Sequence, residues 1–109
     1  MTTEAEDFIL VLSTASSKEE AERIATGLVE GQLAACVNIL PGLTSVYRWK
    51  DAIEHADEVL LLIKSTKRVF PELEQAIREA HSYDVPEVLA IPIEAGSDGY
   101  LSWLAGGLK

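Results

Sequence analysis

The chain has 109 residues, 48% of them apolar and 25% charged, with a formal net charge of −9. That length suits one domain around one buried core, and the balance is that of a folded chain rather than a disordered one. The acidity argues against nucleic acid and anionic membrane surfaces as partners, since both call for a basic face.

Cys36 is the only cysteine, so no internal disulfide can form and a reducing compartment is expected. The first seven residues are polar and acidic, without the apolar stretch of a signal peptide, and no apolar run approaches a membrane span. The sequence therefore reads as soluble and cytoplasmic.

Residues 1–6 read as a frayed tail ahead of a single domain spanning the chain, with an ordered core over about residues 7–105. Phe8-Ile9-Leu10-Val11-Leu12 is a continuous apolar run, which predicts a strand buried on both faces. Ser17-Lys18-Glu19-Glu20 has the spacing of a capping box, and Ala21, Ile24, Ala25, Leu28 and Val29 follow at helical spacing, with Gly31 as the stop. Leu33 to Trp49 reads as a long extended ribbon with a bend or bulge at Pro41-Gly42. A turn within Trp49 to Ile53 reverses it, and a return strand runs to Ser65. The apolar stripe Phe70, Leu73, Ile77 and Ala80 predicts a second helix from about Lys67 to Ala80. His81 to Glu87 is then a loop, Val88 to Ile93 a fourth strand ended or placed at an edge by Pro92, and Gly99 to Leu104 a short helix after Asp98.

The order β-α-β-β-α-β fits a four-stranded antiparallel sheet with both crossover helices on one face. This is an α+β, ferredoxin-like βαββαβ sandwich with a short C-terminal helix. At about 3.3 Å per residue the β2–β3 hairpin is too long for that sheet and should project from it. A two-stranded arm is marginal alone, so a partner subunit is the expected support. Tyr47 and Trp49, two apart on one strand, should point to the same side of the arm. They are the candidate subunit-interface residues.

Few residues are candidates for chemistry. Cys36 is either a small buried hydrophobe or a thiolate metal ligand. His81 follows a helix end, where an imidazolium is favoured by the helix dipole; the other role open to it is as a metal ligand or binding-site donor beside Ser82, Tyr83, Asp84 and Glu87. His55 belongs to a polar hairpin and should be solvated. No glycine-rich phosphate loop, nucleophile elbow or triad is present. The residues point to a binding or assembly module, not an enzyme.

Several stretches in series carry a resemblance: Leu33-Ala34-Ala35-Cys36-Val37-Asn38, Pro41-Gly42, Ser45-Val46-Tyr47-Arg48-Trp49, Leu61-Leu62-Ile63-Lys64, His81-Ser82-Tyr83-Asp84-Val85-Pro86-Glu87 and Tyr100-Leu101-Ser102-Trp103-Leu104. Together they make the chain similar to the CutA family of divalent-cation tolerance proteins. The resemblance implies a tight homotrimer with hairpins packed between subunits, and a role in tolerance to divalent metals, chiefly copper, with His81 and Cys36 as the candidate ligands. It also implies likeness to the PII signalling proteins, so a trimeric sensor holding a small ligand in its subunit clefts is the alternative, and a purely structural assembly module a third. The chain departs from the family pattern at Ser13, where metal-binding members can carry a thiol, and at Ala80, where they can carry a second histidine. It departs again at Asp51, usually glycine, and at Ser82, usually proline.

Overall fold

The computed structural model describes residues 7–109, so the expected frayed tail lies outside the described residues. Strand β1 (Phe8–Ala15) leads into helix α1 (Lys18–Glu30), then the long strands β2 (Cys36–Trp49) and β3 (Ala52–Thr66). A 3-10 turn over Lys67–Val69 precedes helix α2 (Phe70–Ala80), followed by the short strand β4 (Leu89–Pro92) and helix α3 (Asp98–Gly106). The strands form one antiparallel sheet in the order β2-β3-β1-β4, which is the ferredoxin-like arrangement expected from the element order.

Alternation along the strands divides the sheet into two unlike faces. Ile9, Val11 and Ala15 of β1 and Val59, Leu61 and Ile63 of β3 are buried with Ile24 and Leu28 of α1 and Leu73 and Ile77 of α2. This is the main core, and it explains why both helices lie on one side. The intervening residues form rows on the opposite face: Leu12 pairs with both Leu62 and Leu89, Leu10 pairs with Ile91, and Leu40 pairs with Leu60. Leu40, Leu89 and Ile91 are exposed there. Helix α3 lies toward this side at one end, where the Tyr100 hydroxyl meets Cys36.

Local chemistry sets the element ends. The Ser17 hydroxyl accepts the Glu20 amide at 3.1 Å, as the capping box predicts. At the other end of α1 the left-handed residue is Gln32, with φ 59°, not Gly31, with φ −80°. The amides of Leu33 and Gln32 bond back to the carbonyls of Leu28 and Val29, which is a Schellman motif with the buried Leu28 and Leu33 as its apolar pair. These bonds hold Leu33 in the cap, and β2 begins at Cys36 rather than at Leu33. The β2–β3 register slips between Leu40 and Leu43, a bulge at Pro41-Gly42, where Gly42 takes φ 87°. The hairpin turns on two residues, Lys50 and Asp51, both with positive φ as a type I′ turn requires.

From Glu58 toward the tip, β3 pairs only with β2 among the described residues, so residues 43–58 form a two-stranded arm. The arm gives the molecule dimensions of 50 × 25 × 23 Å. The Cα radius of gyration is 14.6 Å. A compact chain of this length would have a radius of about 13 Å. Among the described residues no helix is long and apolar enough to cross a membrane.

Candidate functional site

The loop from His81 to Val88 crosses the end of β1 and the start of α1, and two linked features hold it there. The first is a latch around Glu20. Its Oε1 accepts the Ser16 amide at 2.9 Å and the Ser16 hydroxyl at 2.8 Å, while Oε2 accepts the Ser82 amide at 2.8 Å. Burial alone would push this carboxyl up; the hydrogen bonds from Ser16 and Ser82 outweigh it and hold Glu20 at about 2. The capping-box spacing placed Glu20 at the helix start, but its carboxylate serves the distant loop as well.

His81 is the centre of the second feature. Its side chain is fully buried, with Nε2 2.6 Å from the Thr14 carbonyl oxygen. The Tyr83 amide donates to Nδ1 at 3.0 Å. A lone pair at Nδ1 assigns the proton to Nε2, which donates to Thr14, so both ring nitrogens are engaged. Glu20 Oε2 lies 3.8 Å from Nδ1. The ring of Tyr83 stands 4.6 Å from that of His81, and its hydroxyl donates to Glu58 Oε2 at 2.7 Å. Burial raises the Tyr83 hydroxyl first, and the bond to Glu58 with the charges of Glu58 and Glu20 raises it further. Tyr83 therefore stays a donor to a buried carboxylate.

Between this loop and the base of the arm lies a cleft of about 580 Å³. Tyr47, Trp49, Glu58, Tyr83, Asp84 and Glu87 are its principal walls. Tyr47 and Trp49 do share one side of β2, and both are exposed in the single chain. Glu58 was missed by sequence reasoning, because it reads as the polar first residue of an apolar strand. Its signal was the alternation itself, which puts it on the same face as Tyr47 and Trp49.

Cys36 lies elsewhere. It pairs with Lys64, whereas Thr14, the partner of His81, pairs with Leu60. Four residues along β3, about 13 Å, separate them in the strand direction, and two strand spacings, about 9–10 Å, separate them across the sheet. The structure does not bring Cys36 and His81 together. Lys64 Nζ stands 3.9 Å from the Cys36 sulfur and also contacts the Asn38 side chain. Burial, and then the neighbouring Cys36, push the Tyr100 hydroxyl up. His55 is exposed on the arm, and the Ser13 hydroxyl is buried without a hydrogen-bond partner among the described residues. Among the described residues no group of three or more His, Cys, Asp and Glu side chains is placed to hold a metal ion. With both His81 nitrogens occupied, the donor set of one chain does not fit a resident metal.

Residues 9–106 match the family described as CutA1 divalent ion tolerance protein. The chain is 50% identical over 95 residues to the divalent-cation tolerance protein CutA of Thermus thermophilus, covering 87% of this chain and 92% of that one. It is 44% identical over 101 residues to the chloroplastic Protein CutA of Arabidopsis thaliana, covering 93% of this chain but only 56% of the plant protein. The solved structure of the Thermus thermophilus divalent cation tolerance protein superposes with a TM-score of 0.92 at 47% identity, over 94% of this chain and 99% of that one.

Proposed function

The chain belongs to the CutA1 divalent ion tolerance family, and from that membership we propose that it acts in divalent-metal tolerance as a cytoplasmic homotrimer, not as an enzyme. The observation that carries the trimer is the projecting arm beside an uncovered apolar face. Leu40, Leu89, Ile91, Tyr47 and Trp49 are exposed on the single chain, and large apolar side chains exposed in this number on one side of a sheet mark a surface for association. The arm and that face share one side of the sheet, so a second chain laid along it would cover both, with Tyr47 and Trp49 at the subunit interface.

Copper is the metal of this reading. Ligation by His81 requires its ring to give up either the Tyr83 amide or the Thr14 carbonyl, so the contact we propose forms only when the loop shifts. Cys36 would take part from a different place on the sheet, with remaining donors supplied by another subunit. Copper titration followed by calorimetry tests this on wild type, His81→Ala and Cys36→Ala. Saturable binding weakened in at least one variant supports it; equal affinity in all three removes both residues, and no saturable binding overturns the metal role.

A second reading is favoured by the cleft: a PII-like trimeric sensor that takes a small ligand where subunits meet. A thermal-shift screen of nucleotides, carboxylates and amines separates it from the first, since a ligand response without a copper response selects the sensor. A trimer silent to both would be an assembly module alone.

A further inference from the structure

We propose that the aromatic pair Tyr100 and Trp103 on α3 is the seat for a neighbouring chain's arm, which sets its Tyr47 and Trp49 against them. This rests on the trimer reading and names the two surfaces that its contact joins. Three identical chains closed by rotation are held by head-to-tail contacts, in which one patch meets a different patch of the next chain. The arm aromatics therefore need a surface that is not another arm. On their side of the sheet, the exposed large apolar residues of the strands outside the arm are Leu40, Leu89 and Ile91. Helix α3 adds Tyr100 and Trp103 at one end of that surface. One chain cannot bring its own two aromatic pairs together. Tyr47 pairs with Glu54, whereas Cys36, which meets Tyr100, pairs with Lys64. Residues 54 and 64 lie about 33 Å apart along β3.

Helix α3 is unfinished in a single chain. It has nine residues, too few for stability from helix propensity alone, and Leu104 is its one fully buried side chain. Trp103 is 56% exposed, and its ring centroid lies 5.5 Å from that of the exposed Tyr100. Spaced three apart, the two rings share one side of the helix and form a single platform. The reach of the Tyr100 hydroxyl to Cys36 ties that platform to β2. Tyr47 and Trp49 are its counterpart, two exposed rings on one side of the arm. Aromatic rings that meet bury large areas and gain beyond the area itself. The reach of the arm fits. Leu43 to Trp49 spans about 24 Å at 3.4 Å per residue. The two shorter dimensions of the molecule are 25 and 23 Å, so an arm crosses a neighbour's body rather than touching its rim.

The test is photo-cross-linking of the full chain with p-benzoylphenylalanine in place of Trp103. The proposal predicts adducts of twice the chain mass on a denaturing gel, with the cross-link mapped by mass spectrometry to residues 45–53. Trp49→Ala and Trp103→Ala should each speed subunit exchange between two tagged populations by about tenfold or more, as loss of an aromatic anchor does. The double variant should gain less than the product of the two, because the rings lose each other only once. Val29→Ala, an exposed apolar position on α1, should leave exchange unchanged. If Trp103→Ala fails to fold, Trp103→Leu decides, and it must speed exchange several-fold. Cross-links to other segments, or within one chain only, overturn the pairing, as do independent effects of the two tryptophans or equal acceleration by Val29→Ala. In each of those cases a trimer mass by light scattering leaves the assembly reading standing. A folded monomer overturns both.

Discussion

Glu20, in the first turn of α1, accepts the backbone amide of Ser82 at 2.8 Å across 62 residues of sequence. One carboxylate thus fixes both the start of a helix and the loop that closes the cleft. Because the folded protein holds Glu20 at about 2, below its ordinary value of 4.5, its contribution is complete above pH 4.5 and lost as pH falls to 2. The shift corresponds to about 3 kcal/mol. Urea unfolding between pH 5 and pH 2 should show wild type losing roughly that advantage over Glu20→Gln. Parallel curves for the two proteins would remove Glu20 from the acid dependence.

The Tyr83 hydroxyl gives the buried Glu58 carboxylate its one hydrogen bond among the described residues. Tyr83→Phe removes that donor and should destabilise by about 1–3 kcal/mol, the cost of leaving a buried acceptor unmade. In a double-mutant cycle with Glu58→Gln, unfolding free energies should show coupling above about 0.5 kcal/mol. Additive effects would mean the bond contributes nothing net.

Gln32 occupies a left-handed position that glycine fills without a Cβ clash. Gln32→Gly should raise stability by about 0.5–1 kcal/mol, since relief of that clash exceeds the added freedom of the unfolded chain. An increased urea midpoint with an unchanged slope would bear this out.

The turn at the arm tip carries Lys50 and Asp51 where a type I′ turn favours Asn-Gly. The double variant Lys50→Asn/Asp51→Gly should stabilise the hairpin by about 1 kcal/mol. Hydrogen exchange of the arm amides is the appropriate measurement, with slower exchange expected between residues 43 and 58. Asp51→Val should move exchange the other way, because a β-branched side chain resists positive φ.

Much of this architecture is legible in the sequence because local rules and the fold agree. The apolar run of β1, the Ser17/Glu20 spacing and the Pro41-Gly42 bulge each act through near neighbours, and each is found where it was read. The helix stops at Gly31 as its sequence suggests, but the left-handed residue is the next one: packing of Leu28 against Leu33 fixes the turn so that Gln32 takes that position. The site was harder to read. His81 follows a helix end, but nothing local says that its ring turns inward to the Thr14 carbonyl, a contact 67 residues away. Glu58 was hidden for the same reason, since its partner Tyr83 comes from a loop beyond α2.

The central claim is that the arm and the open sheet face are an assembly surface. Multi-angle light scattering of the full chain at micromolar concentration, with circular dichroism to confirm folding, tests it most directly. The account predicts a single species at three times the chain mass. A folded monomer at that concentration would contradict it.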